Sequence, residues 1–482
     1  MDPSVFLLLK NGKIDKDNDA ILIAKGKIVR IGRGEQIEKV VGGEVRRVDL
    51  KGNRVIPGLI DSHTHLIPYG LEKNRPDLSK ARSAKEVVEI LKGYERKLEG
   101  VIIGHGFDDS SWPDRLTREL LDQAFPDRPV LARRICGHLT VANLKALELI
   151  RGYHRYIDHD QGILLERPSL ELERIFPPPE DEMMEAIGRG GEELLRLGIT
   201  TIHDIVTGDY LHGYQRFKGV RPRVRAYLLK GWGRSLSRLG LSSGFGDDHL
   251  KVMGIKLFLD GSVGARTAAM SSPYRDRRGK GRLLMGRREL NHWLKVAEAG
   301  SLQLMIHAIG DRAIRMVAEL PIPSGNPNRH RIEHAEVLTD ELIFQIKKKG
   351  LLLSLQPNFT HFWGRPGGLY DRALGRFRLG LMNRLGSIMR MGIRFGIGTD
   401  LLPPDPKYVI KGAGEHIKKG ERLSPDTLIR YYTEGGSYLA FDEDRLGRLK
   451  EGYLADITVL DEDNKALLTI LAGEIVHNSL EP

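Results

Sequence analysis

Residues 55–66 read VIPGLIDSHTHL, an apolar run that delivers His63 and His65 to its carboxyl end. In a β-strand, positions i and i+2 share a face, so two imidazoles at this spacing converge on one point, as a metal ion requires. The pair gains weight from its company: Lys256, His307, His334 and Asp400 each stand at or just beyond the end of another apolar run. Six chemically able residues in one recurring position point to a single site.

The runs form a series. After 55–61 come GITTIHDI (198–205), VRAYLL (224–229), VMGIKLFLD (252–260), LQLMIHAIGD (302–311), HRIEHAE (330–336), LLLSLQPN (351–358) and RFGIGTD (394–400). Helical periodicity fills the segments between them, as in RELNHWLKVAEAG (288–300) and TDELIFQIKKKG (339–350), the latter closing on lysines and a glycine. Alternating strands and helices with continuous apolar strands imply a parallel sheet covered on both faces, and eight units imply an α/β fold of the closed (β/α)8 TIM-barrel kind. Active sites of such barrels lie at the carboxyl ends of the strands, where all six residues fall.

Roughly 140 residues separate Asp61 from Ile199, whereas about 30 suit one barrel unit. The excess predicts an inserted α+β cap after the first strand, over 70–190. AILIAKGKIVRIGRG (20–34) and YLADITVLDEDNKALLTILAGEIVHN (453–478) both alternate like hairpin strands, and neither is long enough to fold alone. The expected organisation is a composite β-sandwich from 1–56 and 442–482 beside a barrel domain over 57–441.

At 482 residues the chain exceeds what one hydrophobic core serves. With 40% hydrophobic and 29% charged residues it reads as globular, and no apolar run approaches the roughly 20 residues that span a bilayer. The start, MDPSVFLLLKNGKI, has too short an apolar stretch for a secretory signal, so the cytoplasm is the expected compartment and no membrane partner is expected. The lone Cys136 excludes an intramolecular disulfide and a thiolate cluster, leaving nitrogen and oxygen as metal donors; Cys136 itself reads as a buried small hydrophobe. The net charge of +11 is dispersed in short doublets such as Arg133-Arg134 and Arg277-Arg278, without a nucleic-acid-binding motif, so no nucleic-acid partner is expected. Abundant Lys, Arg and Glu with few Gln also fits a heat-adapted source. Gly261 and Gly264 lack the third glycine and the Lys-Ser/Thr ending of a phosphate loop, which argues against nucleotide binding there.

Lys256 admits two readings. It is an ion-pair partner of Asp260 or Asp400, or it is a desolvated amine that sheds its proton and captures carbon dioxide as a carbamate, turning a cation into a bidentate bridge between two ions. Metal coordination lowers the pKa of water from 15.7 toward about 7 and so creates a nucleophile at neutral pH.

The set H-x-H, Lys, His, His, Asp on successive strands resembles the binuclear amidohydrolase superfamily, and within it the amidohydrolase-3 branch that includes N-substituted formamide deformylase. The resemblance spans nearly the whole chain, through VIPGLIDSHTHL, GHGFDDSSWP (104–113), PVLARRICGHLTVANLKAL (129–147), GIKLFLDGSVGARTA (254–268), HAIGDRA (307–313), RIEHAE (331–336), GIGTDLLPPDP (396–406) and YLADITVLD (453–461). It implies that His63, His65 and Asp400 hold one divalent metal, that His307 and His334 hold a second, and that carboxylated Lys256 bridges them. It also implies that Asp400 and Lys256 are the catalytic pair, with Asp400 taking a proton from the attacking hydroxide and passing it to the leaving amine. Zinc is the expected ion for nitrogen-rich ligation, with manganese, iron or cobalt as substitutes.

His105, Asp108, Trp112 and His138, in the inserted segments that resemble the branch, and His203, after the second strand, are candidates for binding substrate; the plain alternatives are a capping Asp, a packing Trp and surface histidines. The seventh strand continues as Asn358-Phe359-Thr360, where relatives often carry other polar residues, so substrate choice stays open. The expected function is metal-dependent hydrolysis of a non-peptide carbon–nitrogen bond in a small amide-type substrate, by a cytoplasmic homodimer. Hydrolysis of an ester, lactone or cyclic amide, or deamination, fits the same ligands, and a catalytically silent protein that binds nucleic acid or a partner is the reading from another class.

Overall fold

The computed structural model describes residues 6–42, 44–94, 100–109, 112–135, 137, 139–165 and 167–480. The chain divides into two compact units, Met1–His65 with Gly191–Pro482, and Leu66–Gly190.

The larger unit is built on a parallel sheet whose eight strands follow chain order: β1 (Leu59–Thr64), β2 (Ile199–Val206), β3 (Arg223–Leu229), β4 (Leu250–Phe258), β5 (Gln303–Ala308), β6 (Arg331–His334), β7 (Leu352–Leu355) and β8 (Phe395–Ile397). Each pairs in parallel with the next. β8 returns to β1, where the Asp400 N–H donates to the His63 carbonyl at 3.0 Å, so the sheet closes as a TIM barrel. A Cβ at Gly398 would lie 2.7 Å from the His63 Cβ, so only glycine permits this approach beside a metal-ligand candidate. The strands are buried along their whole length in β1, β2, β6, β7 and β8, as covered parallel strands require.

All eight apolar runs become strands, with one redistribution. The run from residue 55 contains two strands: Arg54–Pro57 pairs antiparallel with Ile457–Leu460, and only after Gly58 does β1 begin. The break falls at Pro57-Gly58, where Pro57 can donate no ladder hydrogen bond and a Cβ on Gly58 would come within 2.1 Å of the Thr200 hydroxyl. Helix signals also behave as the residues dictate. In Asp340–Lys349, Thr339 caps the amino end by accepting from the Leu342 N–H at 3.3 Å, and Gly350 ends the helix with φ of 65°.

The terminal segments form two four-stranded sheets. One runs Lys27–Gly32, Ala20–Ala24, Phe6–Lys10, Val45–Asp49; the other runs Glu474–Asn478, Ala466–Leu471, Ile457–Leu460, Arg54–Pro57. Alternate residues from each, Leu7, Leu9, Ile21 and Ile23 against Ile457, Val459, Leu468 and Ile470, share one core, which makes a small β-sandwich. Buried ion pairs tie this part of the chain to the foot of the barrel. Arg223 on β3 binds Asp456 through Nε at 2.7 Å and Nη2 at 3.0 Å, and Arg225 binds Asp442 at 2.5 Å.

The second unit, Leu66–Gly190, has a five-stranded mixed sheet in the order Ile157–Asp158, Ile163–Leu165, Leu139–Ala142, Val130–Arg134, Ile102–Phe107. Its strands send alternate residues to two cores, Ile102, Val130 and Ala132 to one and Ile103 and Leu131 to the other. Among the described residues no helix is long and apolar enough to cross a membrane.

Candidate metal centre

Four imidazoles stand in a chain at the barrel mouth. Ring centroids are 5.6 Å apart for His65 and His63, 4.7 Å for His63 and His334, and 4.6 Å for His334 and His307. Asp400 reaches toward the first pair, with Oδ1 3.2 Å from His65 Nε2 and 3.8 Å from His63 Nε2. One ligand atom from each of His63, His334 and Asp400 lies within 4.8 Å of the other two, so a small side-chain adjustment brings all three onto one ion with bonds of about 2.0–2.2 Å. This trio mixes the two ligand sets that the resemblance implies, because His334 stands beside His63 and Asp400.

Two strand ends are strained in a way that serves the site. His334 (φ 68°) ends β6 and Ala335 (φ 46°) follows it, and Asp400 (φ 55°) and Leu401 (φ 54°) follow β8, all in the left-handed region that side chains with a Cβ rarely adopt. Such residues cost of order 1–3 kcal/mol each and persist where surrounding bonds over-determine them. Here the Ala335 N–H donates to the Ala308 carbonyl at 3.1 Å and the Asp400 N–H to His63.

Lys256, on β4, is 1% exposed, and its Nζ has no hydrogen-bond partner among the described residues; it lies 4.9 Å above the Phe258 ring. Burial brings its pKa down to about 8, against the opposing pull of Glu333 and Asp400. A lysine that is this close to losing its proton, and that no side chain satisfies, fits a group completed by something outside the polypeptide. His334 Nδ1 is likewise buried without a partner among the described residues. Burial, then the neighbouring Lys256, brings the His307 pKa down to about 4; burial holds those of His63 and His334 well below the usual imidazole range. All three are therefore neutral, the form that binds a metal. His307 Nε2 contacts the Gly261 carbonyl at 3.1 Å, which accepts if that nitrogen carries the proton.

Behind His63 runs a fully buried polar chain. Glu333 Oε2 is 2.5 Å from His63 Nδ1, so the carboxylate accepts there and fixes the tautomer that leaves Nε2 facing Asp400. Arg331 pairs with Glu333 at 2.9 Å, as an ion pair rather than an aligned hydrogen bond. The same guanidinium donates from Nη1 to His203 Nδ1 at 2.8 Å and from Nη2 to the Ser62 carbonyl at 2.9 Å, and it lies 4.6 Å over the Tyr227 ring. Burial raises the Glu333 pKa, while Arg331 and Lys256 oppose the rise. Asp61 performs a parallel task on the backbone, accepting from the His63 N–H at 3.1 Å, the Thr399 N–H at 3.0 Å and the Thr399 hydroxyl at 2.6 Å, and so clamps the ends of β1 and β8 together.

The residues expected to bind substrate are placed differently from the metal set. His203 has no exposed surface and belongs to the buried chain behind His63. His105, on the strand Ile102–Phe107 of the second unit, contacts the Glu72 carbonyl through Nε2 at 2.8 Å. Asp108 pairs with Arg134 at 2.8 Å, and Trp112 packs against the second unit's core with its ring 5.8 Å from that of Phe107. His138 and Cys136 lie outside the described residues. Glu333, Arg331 and Asp61 are the supporting residues that sequence reasoning missed. For Arg331 and Glu333 the available signal was a pair of opposite charges at i and i+2, flanking Ile332 in RIEH.

The amidohydrolase family matches residues 46–477 of this chain. A putative amidohydrolase, YtcJ of Bacillus subtilis, is 27% identical over 98% of both chains. N-substituted formamide deformylase of Arthrobacter pascens is 22% identical over 92% of this chain and 90% of its own. The crystal structure of an uncharacterized metal-dependent hydrolase from Pyrococcus horikoshii OT3 superposes with a TM-score of 0.84 at 30% identity, over 95% of this chain and 98% of the other. With the histidines and Asp400 gathered at the mouth of a barrel, these matches show that the chain belongs to the amidohydrolase family and is a metal-dependent hydrolase.

Proposed function

We propose that the protein hydrolyses a non-peptide carbon–nitrogen bond of amide type in a small molecule. The observation that carries the reading is the convergence of His63, His334 and Asp400 within 4.8 Å beside a buried lysine without a partner among the described residues. The similarity to N-substituted formamide deformylase supports the choice of bond. His63, His65, His307, His334, Asp400 and a carbamate on Lys256 would hold two divalent ions, zinc by preference for so many nitrogen donors. Such ions polarise a carbonyl and lower the pKa of water toward neutrality.

The chain's own residues then divide the remaining work. Asp400, 18% exposed at its side chain, is the carboxylate at the mouth that takes the proton from the attacking water and returns it to the departing amine nitrogen. Lys256 contributes its neutral Nζ to carbon dioxide, forming an N–C bond and releasing one proton, which converts an amine into an anion. Glu333 keeps the proton of His63 on Nδ1, and Asp61 holds the backbone from which both His63 and Asp400 project.

The test is hydrolysis of matched amide and ester pairs by protein of measured metal content, alongside His63→Ala. Amide turnover that scales with metal content and disappears in the variant supports the reading. Preference for the ester, or turnover unchanged in the variant, overturns it.

A further inference from the structure

A cavity of about 760 Å³ opens on the larger unit at the amino-terminal end of β8, along Ile393, Arg394 and Phe395, whereas Asp400 lies beyond the carboxyl end of that strand. It is separate from the metal centre, and its size is that of an ordinary small-ligand site, about 300–1,000 Å³. From its walls we infer that it binds a small organic phosphate, with Arg394 and Lys450 meeting the phosphate and the outer face of Tyr431 carrying the planar body.

The charge pattern supports an anion. Glu434 is neutralised by Arg430 at 3.4 Å and Arg448 at 2.8 Å, and Glu443 by Arg329 at 2.6 Å. Arg394 and Lys450 have no ion-pair partner among the described residues, although both line the cavity, against the single remaining acid Asp444. Arg394 is also held in place: its guanidinium lies 4.0 Å over the Tyr438 ring, with Arg329 3.9 Å from the same ring. A positioned, exposed guanidinium is suited to bidentate phosphate contact.

The aromatic wall has an independent feature. Tyr431 opens a π-helical turn, Tyr431–Gly435, a form that is rare and recurs at functional sites. The turn packs backbone against backbone on β8, where a Cβ at Gly435 would meet the Phe395 carbonyl at 2.2 Å. It sets Tyr431 flat on Phe395, ring centroids 3.8 Å apart at 14°, so one face is occupied and the other is turned from the stack. A planar heterocycle continues such a stack.

Calorimetric titration of the metal-loaded protein with AMP tests the assignment. Saturable binding is expected, weakened at least about tenfold in Arg394→Glu with Lys450→Glu, and retained in His63→Ala. Charge-neutral Arg394→Gln with Lys450→Gln, which leaves the surface less altered, is expected to weaken binding in the same direction. Absence of saturable AMP binding, binding indifferent to both pairs of substitutions, or binding that vanishes in His63→Ala overturns the assignment.

Discussion

Glu333→Gln isolates the orienting bond behind the metal centre. Glu333 Oε2 sits 2.5 Å from His63 Nδ1 with no exposure to solvent, so the carboxylate both fixes the tautomer and makes Nε2 a stronger donor. Loss of such an outer partner typically costs about 10–100-fold in metal affinity, equivalent to roughly 1.4–2.7 kcal/mol. Glutamine keeps the shape, and its amide oxygen still accepts from Nδ1, so the lower end of that range is expected. Glu333→Ala removes the acceptor altogether and belongs at the upper end. Both substitutions leave Arg331 as a buried cation without its anion, which adds about 3–5 kcal/mol of destabilisation. Competition against a chromophoric chelator near neutral pH reads the affinity, and urea unfolding of the metal-free protein reads the stability. Wild-type metal affinity in Glu333→Ala, with the protein folded, would mean that His63 is oriented without Glu333 and would overturn this role.

Other outcomes follow from the same geometry. Lys256→Met is expected to abolish the carbamate resonance seen after loading with ¹³C-bicarbonate and to weaken metal binding by more than the roughly 10–100-fold of an outer-shell loss; a persistent resonance places the carbamate elsewhere. Burial, then Arg331 and Arg225, holds the His203 pKa well below 6.5, so below that pH the unfolded chain takes up a proton that the folded chain refuses. Stability is therefore lost as pH falls below 6.5, by up to about 1.4 kcal/mol per pH unit from this group, and His203→Asn should flatten the slope by one proton in urea unfolding across that range. An unchanged slope contradicts the assignment. Arg223→Met orphans the buried Asp456 and should destabilise the protein by about 3–5 kcal/mol, whereas a loss under roughly 1 kcal/mol would show that the pair does not join barrel and sandwich.

Much of the barrel was legible because strand burial leaves a direct imprint: a strand covered on both faces favours apolar residues, and eight runs rich in them occur in order. The insertion was legible as spacing. The division of the first run was not, because only the antiparallel pairing of Arg54–Pro57 with Ile457–Leu460, some four hundred residues away, assigns VIP to the sandwich. The residues expected as ligands were legible at strand ends, but which of them come together depends on how far each strand projects, and His334 stands beside both His63 and His307. Glu333 and Arg331 escaped because the chemistry that justifies burying them is supplied by β1 and β2, through His63, Ser62 and His203. His203 itself, read from its place after an apolar run, lies within β2 and serves the scaffold.

Anomalous diffraction from crystals of the metal-loaded protein, recorded on either side of the zinc edge, locates the ion itself. A peak is expected about 2.0–2.2 Å from ligand atoms of His63, His334 and Asp400. Fully loaded crystals with no anomalous density among those three side chains would contradict metal binding there.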